Sequence, residues 1–146
     1  MVRKNFDNRN FRIRDYGNEP FVINMARNTK RNPNFRTALW TGKYLQVTLM
    51  SIPVGGDIGF EVHPDVDQFI GIESGFARVM MGKSRDRLDY QQRANAGDAV
   101  LVPAGTWHNM INIGNTPLKV YSVYAPPQHP FGTTHKTKHD AEKEEN

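Results

Sequence analysis

The chain has 146 residues, 38% hydrophobic and 23% charged, which bounds it to about one domain with a single sizeable core and excludes a disordered polymer. It contains no cysteine, which removes disulfides, thiolate catalysis and cysteine-bound zinc or iron–sulfur centres, so any metal must be held by histidine, carboxylate, amide or water. The net charge of +4 is uneven, because residues 1–36 hold nine Lys/Arg against three Asp/Glu (+6) and the remainder ten against twelve (−2).

The chain opens on "MVRKNFDNRNFRIRDYG", which lacks the apolar core of roughly 7–15 residues that a signal peptide needs, and no later run is apolar for long enough to span a bilayer. A cytoplasmic protein with no membrane association is therefore expected. Residues 1–36 read as an extended arm that packs across the domain or swaps into a partner subunit, which makes a homodimer the expected state. Their "RNTKRNPNFR" carries no nucleic-acid-binding motif, and its Asn and Pro read as loop. A solvated basic surface follows, and no nucleic-acid partner is expected.

Next comes "LWTGKYLQ", where Trp40, Lys43 and Tyr44 precede a core strand. They are candidates for the rim of a pocket that takes a sugar or an anionic group, against strand-edge packing as the alternative. Short runs rich in β-branched and aromatic residues then occupy 44–52, 67–74, 76–82, 98–105, 107–114 and 118–126. They are separated by "PVGG", "HPDV", "ESG", "NAG", "PAG" and "GNTP" turns. No segment before the tail shows a helical repeat of apolar positions. This density of short strands predicts an all-β sandwich or barrel over residues 37–127, with Met50, Met80 and Met81 as filling.

Residues 128–146 form a polar tail. Its "KHDAEKEE" is expected to be at most a frayed helix, having no apolar face to bury. His129 and His135 lie in the Pro-rich stretch "YAPPQHPFGTTHKTK"; a place over a pocket and an exposed loop position are both open to them.

Two stretches carry chemistry. In "GGDIGFEVHPDVDQFIGIESG", Glu61 and His63 project to one face of a strand. Pro64 ends that strand, and a hairpin return brings Gln68 beside the pair. In "GDAVLVPAGTWHNMIN", Pro103 and Gly105 make a tight turn and His108 opens the next strand with Asn112 beyond it. His108 is the natural fourth ligand, and Trp107 beside it reads as packing or pocket rim.

These stretches resemble the two motifs of the cupin superfamily, G-x5-H-x-H-x(3,4)-E-x6-G and G-x5-P-x-G-x2-H-x3-N. Gly97, Pro103, Gly105, His108 and Asn112 meet the second at every position. Gly55, Glu61, His63, Gln68 and Gly75 meet the first in spacing, with Glu in place of the first histidine and Gln in place of the glutamate. The resemblance implies a cupin double-stranded β-helix, a jelly-roll barrel with a metal held by Glu61, His63, Gln68 and His108 near one mouth. Asp67 fills the acid position under the shorter spacing, but the motif would then end on Ser74 rather than Gly75, which favours Gln68.

One divalent transition metal, Mn, Fe, Zn, Ni or Co, suits this oxygen-rich set. Three functions are compatible with it: a metal-dependent isomerase or epimerase acting on a sugar or sugar phosphate, a dioxygenase-type enzyme, and a non-catalytic module that binds a small molecule. The ligand types lean to the first, with no general base identified.

Overall fold

Alternating side-chain burial along the strands builds two facing antiparallel sheets. The computed structural model describes residues 12–145; residues 1–11, where the basic arm begins, and residue 146 lie outside the described residues. One sheet contains β1 (Arg36–Thr41), β2 (Gln46–Ile52), β3 (Asp67–Ser74), β6 (Ala99–Val102), β8 (Leu118–Ala125) and β9 (Thr134–His135), in the order β6-β3-β8-β2-β1-β9. The other contains β4 (Phe76–Gly82), β5 (Tyr90–Asn95) and β7 (Trp107–Asn112), in the order β5-β4-β7. Strand β8 shows the pattern plainly: Leu118, Val120, Ser122 and Tyr124 are buried while Lys119, Tyr121 and Val123 are only partly covered. Ile52, Ile70, Ile72, Val79, Val102 and Met110 complete the core between the sheets. This is the jelly-roll barrel that the motifs imply.

The turn between β3 and β4 requires its glycine. Gly75 has φ +106°, and a Cβ there would meet the Leu118 backbone at 3.0 Å.

Three strands were not legible in the sequence. β5, "YQQRAN", is an edge strand with five of its six residues exposed, so it carries no alternation to read. β1 was hidden because it opens on an arginine inside the basic arm. Arg36, Thr37, Ala38 and Leu39 are all buried there, covered by the arm itself: Tyr16 N donates to Leu39 O at 2.8 Å and Thr41 Oγ1 donates to Asp15 Oδ2 at 2.6 Å. β9 is only two residues long and pairs with Arg36 and Thr37.

The arm also holds a helix, α1 (Met25–Arg31), in a region that reads as loop. Asn24 is its N-cap, accepting from Arg27 N at 2.9 Å, and the asparagines that suggest a loop act as caps and buried contacts. Of the methionines, Met50 lies in the core and Met81 packs against it, while Met80 is outside that cluster.

The tail departs most from expectation. α2 (Lys138–Glu145) docks through one small residue, Ala141, which is 4% exposed and part of the core cluster. Lys138 forms an ion pair with Asp57, and His135 Nε2 lies 2.5 Å from Glu144 Oε2. A helix without an apolar stripe thus holds its place by one buried methyl group and two polar ties. Ala141→Asp puts an unpaired carboxylate in that contact. We expect it to destabilise the fold by roughly 1–3 kcal/mol, lowering Tm and speeding proteolysis at the C-terminal end. An unchanged Tm would show that the helix contributes nothing.

Candidate metal centre

The segment between β2 and β3 crosses to the second sheet and runs antiparallel along β7. Ile58 N donates to Met110 O at 3.1 Å, and Glu61 and His108 exchange backbone hydrogen bonds of 3.0 and 2.9 Å. Gly105 N donates to His63 O at 2.9 Å, tying the turn before β7 to the same segment. The expected hairpin between the Glu61–His63 arm and the Gln68 strand does not form. Glu61 and His63 join His108 through the backbone of β7 instead, because a bend at Pro64 to Val66 leaves β3 to pair with β6 and β8.

The ligating atoms of Glu61, His63 and His108 all lie within 4.8 Å of one another. Glu61 Oε2 is 3.3 Å from His63 Nε2 and 3.9 Å from His108 Nε2. His108 Nδ1 lies 3.1 Å from Thr106 O, and since a carbonyl only accepts, this nitrogen carries the proton and Nε2 presents its lone pair. His108 Nε2 and both ring nitrogens of His63 are buried without a hydrogen-bond partner. Buried polar atoms are ordinarily satisfied, so the Nε2 atoms of His63 and His108, which converge on Glu61 Oε2, fit a cation.

Gln68 is 4% exposed. Its Nε2 donates to Ser122 Oγ at 3.2 Å and its Oε1 has no partner. Asp67 is exposed and accepts from Ala104 N at 2.8 Å.

The other carboxylate oxygen of Glu61 is occupied. Arg36, 1% exposed, brings NH2 to 3.4 Å from Oε1 and NH1 to 3.3 Å from His135 Nδ1. Burial works to raise the Glu61 pKa, but the His63 contact, the Arg36 guanidinium and His108 outweigh it and hold the carboxyl below its usual range. Burial holds His108 below the ordinary histidine value. Tyr124, wholly buried, is pushed up to about 12, mainly by burial, and its ring stands edge-on to both His63 and His129 at 5.7 and 5.3 Å.

A cleft of about 480 Å³ opens beside the cluster, lined by Phe60, Glu61, His63, Trp107, His129 and His135 among others. His129 is fixed from behind by the fully buried Gln46. The Gln46 Oε1 accepts from Gln128 N and His129 N at 3.0 and 2.9 Å, and its Nε2 donates to His129 O at 2.8 Å. A larger cavity of about 720 Å³ lies between the edge strands β5 and β6 and shares no lining residue with this cleft.

Of the rim candidates, Trp107 lines the cleft. Trp40 donates from Nε1 to Glu19 O at 2.7 Å and sits over a separate hollow with Phe21 and Leu45. Lys43 lies over the exposed Tyr44 ring, 5.2 Å from its centre, in the β1–β2 turn. The sequence reading missed Arg36, Gln46 and Tyr124. For Arg36 there was a signal: an arginine followed directly by "TALW" enters an apolar strand, where a charge needs a partner.

Comparison with known proteins agrees with the geometry. The family model described as Cupin domain matches residues 48–124. An uncharacterised Bacillus subtilis protein, YrkC, is 60% identical over 140 residues, spanning 96% of this chain and 75% of its own. The crystal structure of BH2720 from Bacillus halodurans superposes with a TM-score of 0.89 at 56% identity, covering 90% of this chain and 99% of that one. KdgF from Halomonas, at 19% identity and a TM-score of 0.56 over 64% of this chain and 78% of its own, shares the fold alone.

Burial also lowers His129, to about 3, so the folded protein keeps a neutral imidazole where the unfolded chain takes up a proton below about 6.5. Fewer protons on the folded state mean that stability falls as pH drops from 6.5 toward 3. Glu61 and Asp57, both held below their usual values, add their own loss only under the carboxylate range. Between pH 6.5 and 4.5 we therefore expect Tm to fall in the native protein and to fall less steeply in His129→Gln, measured by thermal melts across that window. Parallel slopes would contradict this assignment.

Proposed function

Because the chain belongs to the cupin family, we propose that it is a metal-dependent cupin holding one divalent ion from Mn, Fe, Co, Ni and Zn through Glu61, His63, Gln68 and His108. The observation that carries this reading is the set of buried imidazole nitrogens without partners around Glu61 Oε2. The partnerless Gln68 Oε1 supplies the fourth donor. A bound divalent ion supplies Lewis-acid polarisation of an oxygen-bearing ligand.

The chain's own residues do the rest. His108 keeps its lone pair toward the site because Thr106 O holds its proton at Nδ1. Phe60 and Trp107 wall the cleft, His129 adds a neutral imidazole to it, and His135 lines it with both ring nitrogens held, by Arg36 and Glu144. A cleft of about 480 Å³ suits a molecule of monosaccharide size. We assign the activity, on the oxygen-rich donor set, to an isomerase or epimerase acting on a sugar or sugar phosphate. A homodimer belongs to the same proposal, and elution as a 16.7 kDa species would remove it.

Protein purified without a nickel column should contain one of these metals at one equivalent, and His108→Ala should lose it. With the metal in place, solvent deuterium should enter sugars or sugar phosphates. A chain that takes up none of the five ions overturns the reading. Oxygen consumption on a diketone or flavonol panel without deuterium exchange replaces the isomerase assignment with the oxidative one. A ligand that raises Tm with neither activity makes the chain a binding module.

A further inference from the structure

The C-terminal helix is connected to the metal-binding residues by two polar chains. From its first turn, Lys138 pairs with Asp57, and Asp57 Oδ2 accepts from Asn109 Nδ2 at 2.9 Å, the residue after His108. From its last turn, Glu144 Oε2 meets His135 Nε2 at 2.5 Å, His135 Nδ1 meets Arg36 NH1 at 3.3 Å, and Arg36 NH2 meets Glu61 Oε1 at 3.4 Å.

The second chain has a fixed direction. Arg36 is donor-only, so His135 Nδ1 must accept and Nε2 must carry the proton that Glu144 receives. Glu144 therefore selects the His135 tautomer that can hold Arg36. Arg36 in turn has one guanidinium nitrogen for His135 and one for Glu61. Its grip on Oε1 leaves Oε2 facing His63 and His108. A wholly buried guanidinium is costly to place, and here its two terminal nitrogens serve one ligand and one histidine of the cleft wall, while Nε is buried without a hydrogen-bond partner.

We propose that Arg36 is a positioning residue for the metal centre and that α2, through Glu144 and His135, holds it in place. The inference rests on the metal-binding reading above. It predicts that residues touching no ion set the affinity for one. The opposite effect is physically available, because a cation 3.4 Å from Glu61 repels a second one. Positioning and repulsion give opposite signs when Arg36 is removed.

Metal-free full-length protein is titrated with Co(II) alone, reading the visible absorption of the bound ion and the Kd by chelator competition, with Tm recorded for each variant. Arg36→Met should weaken Co(II) binding by about 10–100-fold, the range for partners behind a ligand, and change the band pattern. Glu144→Ala should weaken it in the same direction by less, and Glu144→Gln, which still accepts from His135 Nε2, should bind as the native chain does. Tighter or unchanged binding in Arg36→Met overturns the proposal, and a Gln variant as weak as the Ala one overturns the tautomer step.

Should Arg36→Met fail to fold, Glu144→Ala decides alone, since its side chain is 55% exposed; unchanged Kd there overturns the role of α2. Native protein that takes no Co(II) defeats the metal reading and this inference together. Native binding with unaffected variants defeats this inference only.

Discussion

The reciprocal backbone hydrogen bonds between Glu61 and His108 are the constraint on which the site depends. They pull a segment with no regular structure of its own onto β7, and they place two residues 47 positions apart side by side. Without that bridge the Glu61–His63 pair would be a polar bend on the surface. With it, the carboxylate and both imidazoles face the same point, and the turn at Gly105 is fastened to His63 by a further bond. The bridge works because β7 has β4 on one side only, so its other edge has backbone groups left to satisfy.

The surroundings then decide the charge state of what the bridge assembles. Glu61 is nearly buried, and burial alone would favour its neutral form. The Arg36 guanidinium and the two imidazoles reverse that and keep it an anion. Burial also lowers the pKa of His129 and of His108, at the same mouth. One end of the barrel therefore gathers a carboxylate and two imidazole nitrogens, donor types that could hold a divalent cation. The hydrogen-bonded Gln46 and the buried Tyr124 hold His129 against this cluster without adding charge.

Much of this was legible in the sequence, residue by residue. Strands β3, β4 and β8 announce themselves because apolar residues recur at alternate positions on their buried faces, Ile70 and Ile72 in β3, Ala77 and Val79 in β4, Leu118 and Val120 in β8, and their ends are marked by turn residues such as Gly75. His63 and His108 could be singled out by spacing. What failed to show is equally specific. β5 has almost no buried face, β1 begins with a charge, and α2 buries a single alanine. Each is held by neighbours, and a neighbour distant in the chain leaves no periodicity behind.

The sequence by itself determined the all-β class, the positions of the strand-breaking turns, and the residue types available to hold a cation in a chain without cysteine. Those follow from local chemistry: alternation of apolar side chains, φ preferences of glycine and proline, and the donor set of each residue. The tertiary structure alone decided that Glu61 reaches His108 by a backbone bridge to β7, that a basic residue of the arm becomes the buried partner of that glutamate, and that a polar tail docks beside both. The reason is that a buried charge is specified by its counter-charge. Arg36 and Glu61 stand 25 residues apart and Arg36 and His135 stand 99 apart, distances over which only the folded chain brings donor to acceptor.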